Sequence, residues 1–121
     1  MHKVLVADDE QELLELLKFS LESNGYEVKT AIDGKRALEL VKSDKFALII
    51  LDVMMPRMDG YHVAGEITQD PLSPPILLLT SRDYTQDQPA IRGSGAAAFL
   101  QKPFEITELL TVVRDLIKNN S

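Results

Sequence analysis

The sequence of 121 residues contains no cysteine, so neither a disulfide framework nor a thiolate metal site is possible. No apolar run is long enough to span a bilayer, and the first residues lead into an apolar segment too short for a secretory signal. Acidic residues outnumber basic ones by 19 to 13, and the net charge of -6 argues against a nucleic-acid surface. We therefore expect a cytoplasmic domain that binds neither nucleic acid nor membrane.

What the sequence does contain is a series of short apolar runs that end at polar residues. The run at 46–52 has six apolar residues and stops at Asp52, and the Pro56 that follows leaves no room for a helix. This pattern predicts a strand buried on both faces of a parallel sheet. Comparable segments predict four more strands, so that the five lie at 3–7, 26–31, 46–52, 76–79 and 96–100.

Amphipathic segments between these runs predict helices. The first ends at Asn24-Gly25, the second begins after the N-cap Asp33, the third covers 61–68, and the last carries a clear apolar stripe from Ile106 to Ile117. The segment 82–94 is less regular. Because Pro89 disfavours a helix interior, we predict a short helix that begins near Pro89, with 82–88 as a loop. Strand and helix thus alternate five times, which indicates an α/β domain with right-handed crossovers.

Polar residues stand where the first, third, fourth and fifth strands end. They are Asp8 and Asp9, Asp52, Thr80 and Lys102. Open α/β sheets build their sites at the carboxyl ends of their strands. Three neighbouring carboxylates repel one another unless a cation compensates them, and Mg²⁺ suits such an oxygen site. Together with an ammonium and a hydroxyl group, this set suits the handling of a phosphoryl group.

At these positions the sequence resembles the receiver domain of two-component response regulators, and the resemblance extends from residue 3 to about residue 118. It implies a flavodoxin-like doubly wound (βα)5 fold with strand order 2-1-3-4-5, and one receiver domain over 1–121. The matching motifs are Asp8-Asp9-Glu10, Leu51-Asp52-Val53-Met54-Met55-Pro56, Met58-Asp59-Gly60, Thr80-Ser81, and Gly95-Ala96 leading to Lys102-Pro103-Phe104.

The resemblance implies that Asp52 is the phosphoacceptor, which takes a phosphoryl group from a phosphohistidine. Asp9 and Asp52 would ligate Mg²⁺ directly, Asp8 mainly through water, and Met54 through its backbone carbonyl. Mn²⁺ would be a possible substitute. The domain would promote only its own phosphorylation and slow dephosphorylation, and so would not be an enzyme acting on other substrates.

The resemblance also implies roles around the phosphoryl group. Lys102 would pair with a phosphoryl oxygen, and a cis peptide bond to Pro103 would aim it into the site. Thr80 would turn its hydroxyl toward the phosphoryl group as the switch aromatic Phe99 moves inward. Two flanking positions would tune how fast water removes the phosphate, and they are occupied by Met54 and Arg82. An apolar Met54 and a shielding Arg82 predict a long-lived phosphorylated state.

Partners follow from the same resemblance: a sensor histidine kinase or phosphotransfer protein as donor, and a downstream effector or fused output domain. The protein would be a monomer or a phosphorylation-dependent homodimer. One alternative remains, a receiver-like interaction domain that acts without phosphorylation. Such domains usually lose an acidic position or the lysine, and this chain keeps them. A phosphatase of the haloacid dehalogenase type would need an aspartate where Met54 stands.

Overall fold

Five parallel strands form one sheet in the spatial order β2-β1-β3-β4-β5, as predicted. The computed structural model describes residues 1–56, 58–81, 89 and 93–119. The strands are β1 (Lys3–Ala7), β2 (Glu27–Ala31), β3 (Leu48–Asp52), β4 (Ile76–Thr80) and β5 (Ala98–Gln101). The helices whose bounds fall within the described residues are α1 (Gln11–Ser23), α2 (Gly34–Ser43), α3 (Gly60–Ile67) and α4 (Ile106–Asn119).

The central strands are buried on both faces, because helices cover each side of the sheet. All five residues of β3 and all five of β4 are buried. Alternate residues point to opposite faces, so Ile49 and Leu51 pack with α2 and α3, whereas Leu48 and Ile50 pack with α1 and α4. This double burial explains why the strands read as unbroken apolar runs.

Local sequence signals set the helix ends. The Asp33 carboxylate accepts a hydrogen bond of 2.8 Å from the backbone N–H of Arg36, which confirms Asp33 as the N-cap of α2. Asp59 caps α3 in the same way through the N–H of His62. Gly25 has a φ of 91°, the left-handed conformation predicted for the residue that stops α1.

Some predicted boundaries shift. The third helix was predicted at 61–68 and is observed one residue earlier, at Gly60–Ile67. The fifth strand was predicted at 96–100 and is observed at Ala98–Gln101, because its pairing with β4 runs from Leu77 to Thr80. The predicted short helix near Pro89 and the loop at 82–88 fall mainly on residues outside those described.

Among the described helices, none combines the length and the hydrophobicity that crossing a membrane requires.

Candidate functional site at the carboxyl edge of the sheet

The sheet brings the predicted site residues to one edge. Asp8 follows β1, Asp52 ends β3 and Thr80 ends β4, while Lys102 follows β5. The strands are parallel and in register, with Ala7 opposite Leu51 and Thr80 opposite Gln101. Their carboxyl ends therefore converge although the residues are far apart in the chain.

Three carboxylates meet at this edge. One oxygen from each of Asp8, Asp9 and Asp52 lies within 4.8 Å of the other two. Asp8 is fully buried, Asp52 is 4% exposed and Asp9 is exposed. Two negative groups are thus enclosed by protein, and the third faces solvent. A cation that prefers oxygen ligands could therefore reach the cluster from the side of Asp9.

Lys102 places its ammonium among these carboxylates. Its Nζ lies 3.1 Å from Asp8 Oδ2 and 3.3 Å from Asp52 Oδ1. The side chain is only 16% exposed. The Lys102-Pro103 peptide bond is cis, as predicted, and the backbone N–H of Lys102 donates to the carbonyl of Thr80 at 2.6 Å. The end of β5 is therefore tied to the end of β4, and the lysine reaches across β4 to β3 and β1.

The electrostatics of the site favour a bound cation. Burial, together with the nearby charge of Asp8, raises the pKa of Asp52 from its ordinary value of 3.8 to about 6, against the opposing effect of Lys102. Burial lowers the pKa of Lys102, but the hydrogen bond to Asp8 and the charge of Asp52 outweigh it, so that this pKa is raised. The buried carboxylates of Asp8 and Asp52 thus carry more negative charge than the single ammonium of Lys102 neutralises.

This imbalance gives a pH prediction for the metal-free protein. Because the pKa of Asp52 is higher in the folded state, the folded state binds more protons between pH 4 and 6. Stability should therefore fall as the pH rises through this range, by about 2–3 kcal/mol in total from this group. The measurement is urea denaturation in EDTA from pH 4 to pH 8.

The matched control for this prediction is Asp52→Asn, which removes the titrating group without changing its size. Other carboxylates contribute to both profiles, so the difference between the wild type and the variant isolates Asp52. That difference should grow between pH 4 and 6 and then remain constant. Parallel profiles for the two proteins would contradict the assignment.

Asp8, Asp9 and Asp52 fit a magnesium ion. They supply carboxylate oxygens from a partly open cluster, which is the environment in which Mg²⁺ retains several waters. A divalent cation would also offset the repulsion that raises the pKa of Asp52. The remaining predicted ligand, the backbone carbonyl of Met54, belongs to the segment directly after β3, and the Met54 side chain is 50% exposed.

The remaining predicted site residues are Thr80, Phe99 and Arg82. Thr80 is buried, 1% exposed, at the end of the strand between those that carry Asp52 and Lys102. Phe99 lies on β5 opposite Leu78 and is 37% exposed. Arg82 lies outside the described residues. Thr80 is thus beside the site, and Phe99 is on the outermost strand.

Sequence reasoning gave no role to Glu10, which contacts the site. Its Oε1 lies 3.5 Å from Lys102 Nζ, and its backbone N–H donates to Asp8 Oδ1 at 2.9 Å. The signal that could have identified it is its position directly after Asp8 and Asp9. Gly60 was noted only as part of a matching motif and given no role, although it packs directly against the backbone of Asp52.

A parallel sheet of order 2-1-3-4-5, with an aspartate cluster and a lysine at its carboxyl edge, defines the class of α/β signalling modules known as receiver domains. The chain belongs to the response regulator receiver domain family, whose family model matches residues 4–114.

Relatives and solved structures agree with this family. The chain is 41% identical to the response regulator MprA of Mycolicibacterium vanbaalenii over 98% of its length, and spans about half of that relative, 52%. It is similar to the receiver domain of Francisella response regulator 1452, with 34% identity, a TM-score of 0.93 and full coverage of both chains. It is also similar to the response regulator TrrA of Thermotoga maritima, solved with Mg²⁺ and beryllium fluoride, with 37% identity, a TM-score of 0.87 and coverage of 96% and 99%.

Proposed function

We propose that the domain takes a phosphoryl group onto Asp52 from the phosphohistidine of a sensor histidine kinase or phosphotransfer protein, in a Mg²⁺-dependent reaction. The observation that carries this proposal is the position of the Asp52 carboxylate, which lies 3.3 Å from Lys102 Nζ and inside the aspartate cluster. A carboxylate is an established type of nucleophile for forming an acyl phosphate.

In the proposed step, an Asp52 carboxylate oxygen attacks phosphorus, the P–O bond forms and the P–N bond to the donor imidazole breaks. Asp52 must be ionised to attack, and with a pKa of about 6 it is largely so at neutral pH. Lys102 would donate to a phosphoryl oxygen and pair with its charge, because its Nζ already lies 3.3 Å from Asp52 Oδ1. Asp9 and Asp52 would hold Mg²⁺ or Mn²⁺ directly and Asp8 mainly through water, and the ion would supply positive charge for the phosphoryl oxygens.

We assign the switch to Thr80 and Phe99. Thr80 ends the strand next to Asp52 and carries a hydroxyl that could donate to a phosphoryl oxygen. Phe99 lies on the outermost strand with a third of its surface exposed, so it has room to respond. Met54 and Arg82 are proposed to tune the lifetime of the phosphorylated state.

The proposed signalling role also implies a downstream partner. Because the MprA relatives are about twice as long as this chain, we infer that a downstream effector or fused output domain reads the switch. The domain would occupy residues 1–121, act in the cytoplasm, and be a monomer or a phosphorylation-dependent homodimer.

The test of the proposed function is intact mass spectrometry after incubation with Mg²⁺ and acetyl phosphate. We expect the wild type to gain one phosphoryl group, with no gain in EDTA and restoration by Mg²⁺ or Mn²⁺. The Asp52→Asn variant should gain none. Equal gain in both proteins would place the phosphoacceptor elsewhere. No gain in the wild type, either here or with a phosphorylated histidine kinase, would favour an interaction domain that acts without phosphorylation.

A further inference from the structure

Lys102 has three carboxylate neighbours, one more than the metal cluster and the phosphoacceptor account for. Its Nζ lies 3.1 Å from Asp8 Oδ2, 3.3 Å from Asp52 Oδ1 and 3.5 Å from Glu10 Oε1. An ammonium group has three N–H donors. Asp8 takes one of these donors in a hydrogen bond, while Asp52 and Glu10 lie at ion-pair distance, so a phosphoryl oxygen that binds Lys102 has to compete with these carboxylates.

The three carboxylates differ in how easily they can be displaced. The Asp8 side chain is fully buried and that of Asp52 is 5% exposed, whereas that of Glu10 is 65% exposed. A buried carboxylate that loses its counter-ion stays dehydrated, which is costly. The exposed Glu10 carboxylate would instead be hydrated as soon as it left Lys102. Its departure would also cost little, because an exposed ion pair contributes little to stability. Glu10 is therefore the neighbour that leaves most readily.

The backbone of Glu10 does not need to move when its side chain leaves. Its N–H donates to Asp8 Oδ1 at 2.9 Å, and its carbonyl accepts from the N–H of Leu14 at 3.0 Å in the first turn of α1. Both bonds are independent of the carboxylate. The side chain can thus exchange between Lys102 and water while Asp8 and α1 keep their positions.

We propose that Glu10 is an exchangeable counter-ion of Lys102, which holds the ammonium in the unphosphorylated domain and gives up its place to a phosphoryl oxygen. This role rests on the proposed function, and it makes Glu10 a positioning residue that acts through Lys102. Glu10 thereby competes with the phosphoryl group for Lys102, so the domain binds that group less tightly than its buried residues alone would allow.

The first measurement is the affinity for beryllium fluoride, a phosphoryl mimic, in saturating Mg²⁺ by calorimetry. Glu10→Gln keeps the length of the side chain and removes its charge, and should bind the mimic about two- to fivefold more tightly than the wild type, the range expected for an exposed ion pair. Glu12→Gln is the matched control, since Glu12 is exposed in the first turn of α1 and loses the same charge. It should bind like the wild type.

A third variant separates contact with Lys102 from general repulsion. Glu10→Asp keeps the charge but draws the carboxylate back by one methylene, so it should bind the mimic as tightly as Glu10→Gln. If Glu10→Asp instead binds like the wild type, long-range charge is sufficient and the proposal is overturned. Unchanged or weaker binding by Glu10→Gln overturns it as well.

A spectroscopic readout in the metal-free protein tests the contact itself. The side-chain ¹⁵Nζ and ¹³Cε resonances of Lys102 should shift in Glu10→Gln and stay in place in Glu12→Gln. Unshifted Lys102 resonances in Glu10→Gln would overturn the proposal. The two proposals fail in different ways. A wild type that gains no phosphoryl group would contradict phosphotransfer itself. A wild type that is phosphorylated, but whose Glu10 variants behave like it, would contradict only the role of Glu10.

Discussion

Lys102→Met is expected to destabilise the metal-free protein by about 3–5 kcal/mol at neutral pH. The ammonium contacts the buried carboxylates of Asp8 and Asp52 at 3.1 and 3.3 Å, and in the described part of the chain it is the positive group that pairs with them. Methionine keeps most of the side-chain volume, so the loss comes from leaving two dehydrated negative groups without a counter-ion. Urea denaturation in EDTA measures it.

The matched control is Lys3→Met. Lys3 also pairs with two carboxylates, at 2.9 Å from Asp44 and 3.6 Å from Glu27, but on a more exposed surface. We expect a change within about 1 kcal/mol there, because exposed ion pairs contribute little. Equal losses for Lys102→Met and Lys3→Met would show that burial of the site does not determine the strength of its ion pairs.

Magnesium should reverse much of the stability loss in Lys102→Met, since a divalent cation bound to the aspartates supplies the missing positive charge. Lower pH should reverse part of it as well, because a protonated carboxyl group needs no counter-ion. Neither magnesium nor lower pH should restore phosphorylation of Lys102→Met by acetyl phosphate. We expect its rate to stay about 10²–10³-fold below that of the wild type, the usual loss when one group that stabilises transition-state charge is removed.

Gly60→Ala is expected to cost about 1–3 kcal/mol, the range found for overpacked positions. A Cβ on Gly60 would collide with the carbonyl oxygen of Asp52 and would lie 2.9 Å from the Cα of Val53. Both neighbours are backbone and cannot move aside as a side chain could. The N-terminus of α3 would have to shift away from the end of β3, and thermal and urea denaturation would record the loss.

Gly65→Ala in the same helix is the control for Gly60→Ala. A Cβ at Gly65 meets nothing within 4 Å, so alanine should stabilise α3 by about 0.5–1 kcal/mol. Gly60→Ala should also slow phosphorylation about tenfold or more, because the shift of α3 disturbs the packing against the backbone of Asp52, whereas Gly65→Ala should leave the rate unchanged. Equal stabilities for the two variants would contradict the close packing of Gly60 against the site.

The placement of the site could be predicted because it depends on strand order and direction. Apolar runs identified the strands, and the residues after them identified Asp8, Asp52, Thr80 and Lys102, since parallel strands end at a common edge. The sequence did not reveal which apolar residues of a helix are buried. Leu16 and Leu17 both belong to the apolar pattern of α1, yet Leu17 is fully buried and Leu16 is 48% exposed.

The sequence by itself determined the alternation of strands and helices, the N-cap at Asp33, and the residue types at the carboxyl edge, because these depend on neighbours in the chain. Only the tertiary structure decided that Lys102 contacts Asp8, Asp52 and Glu10, and that Gly60 packs on the backbone of Asp52. These contacts join residues from separate strands and loops. Their distances and burial depend on how the strands pair and the helices pack, which no local pattern encodes.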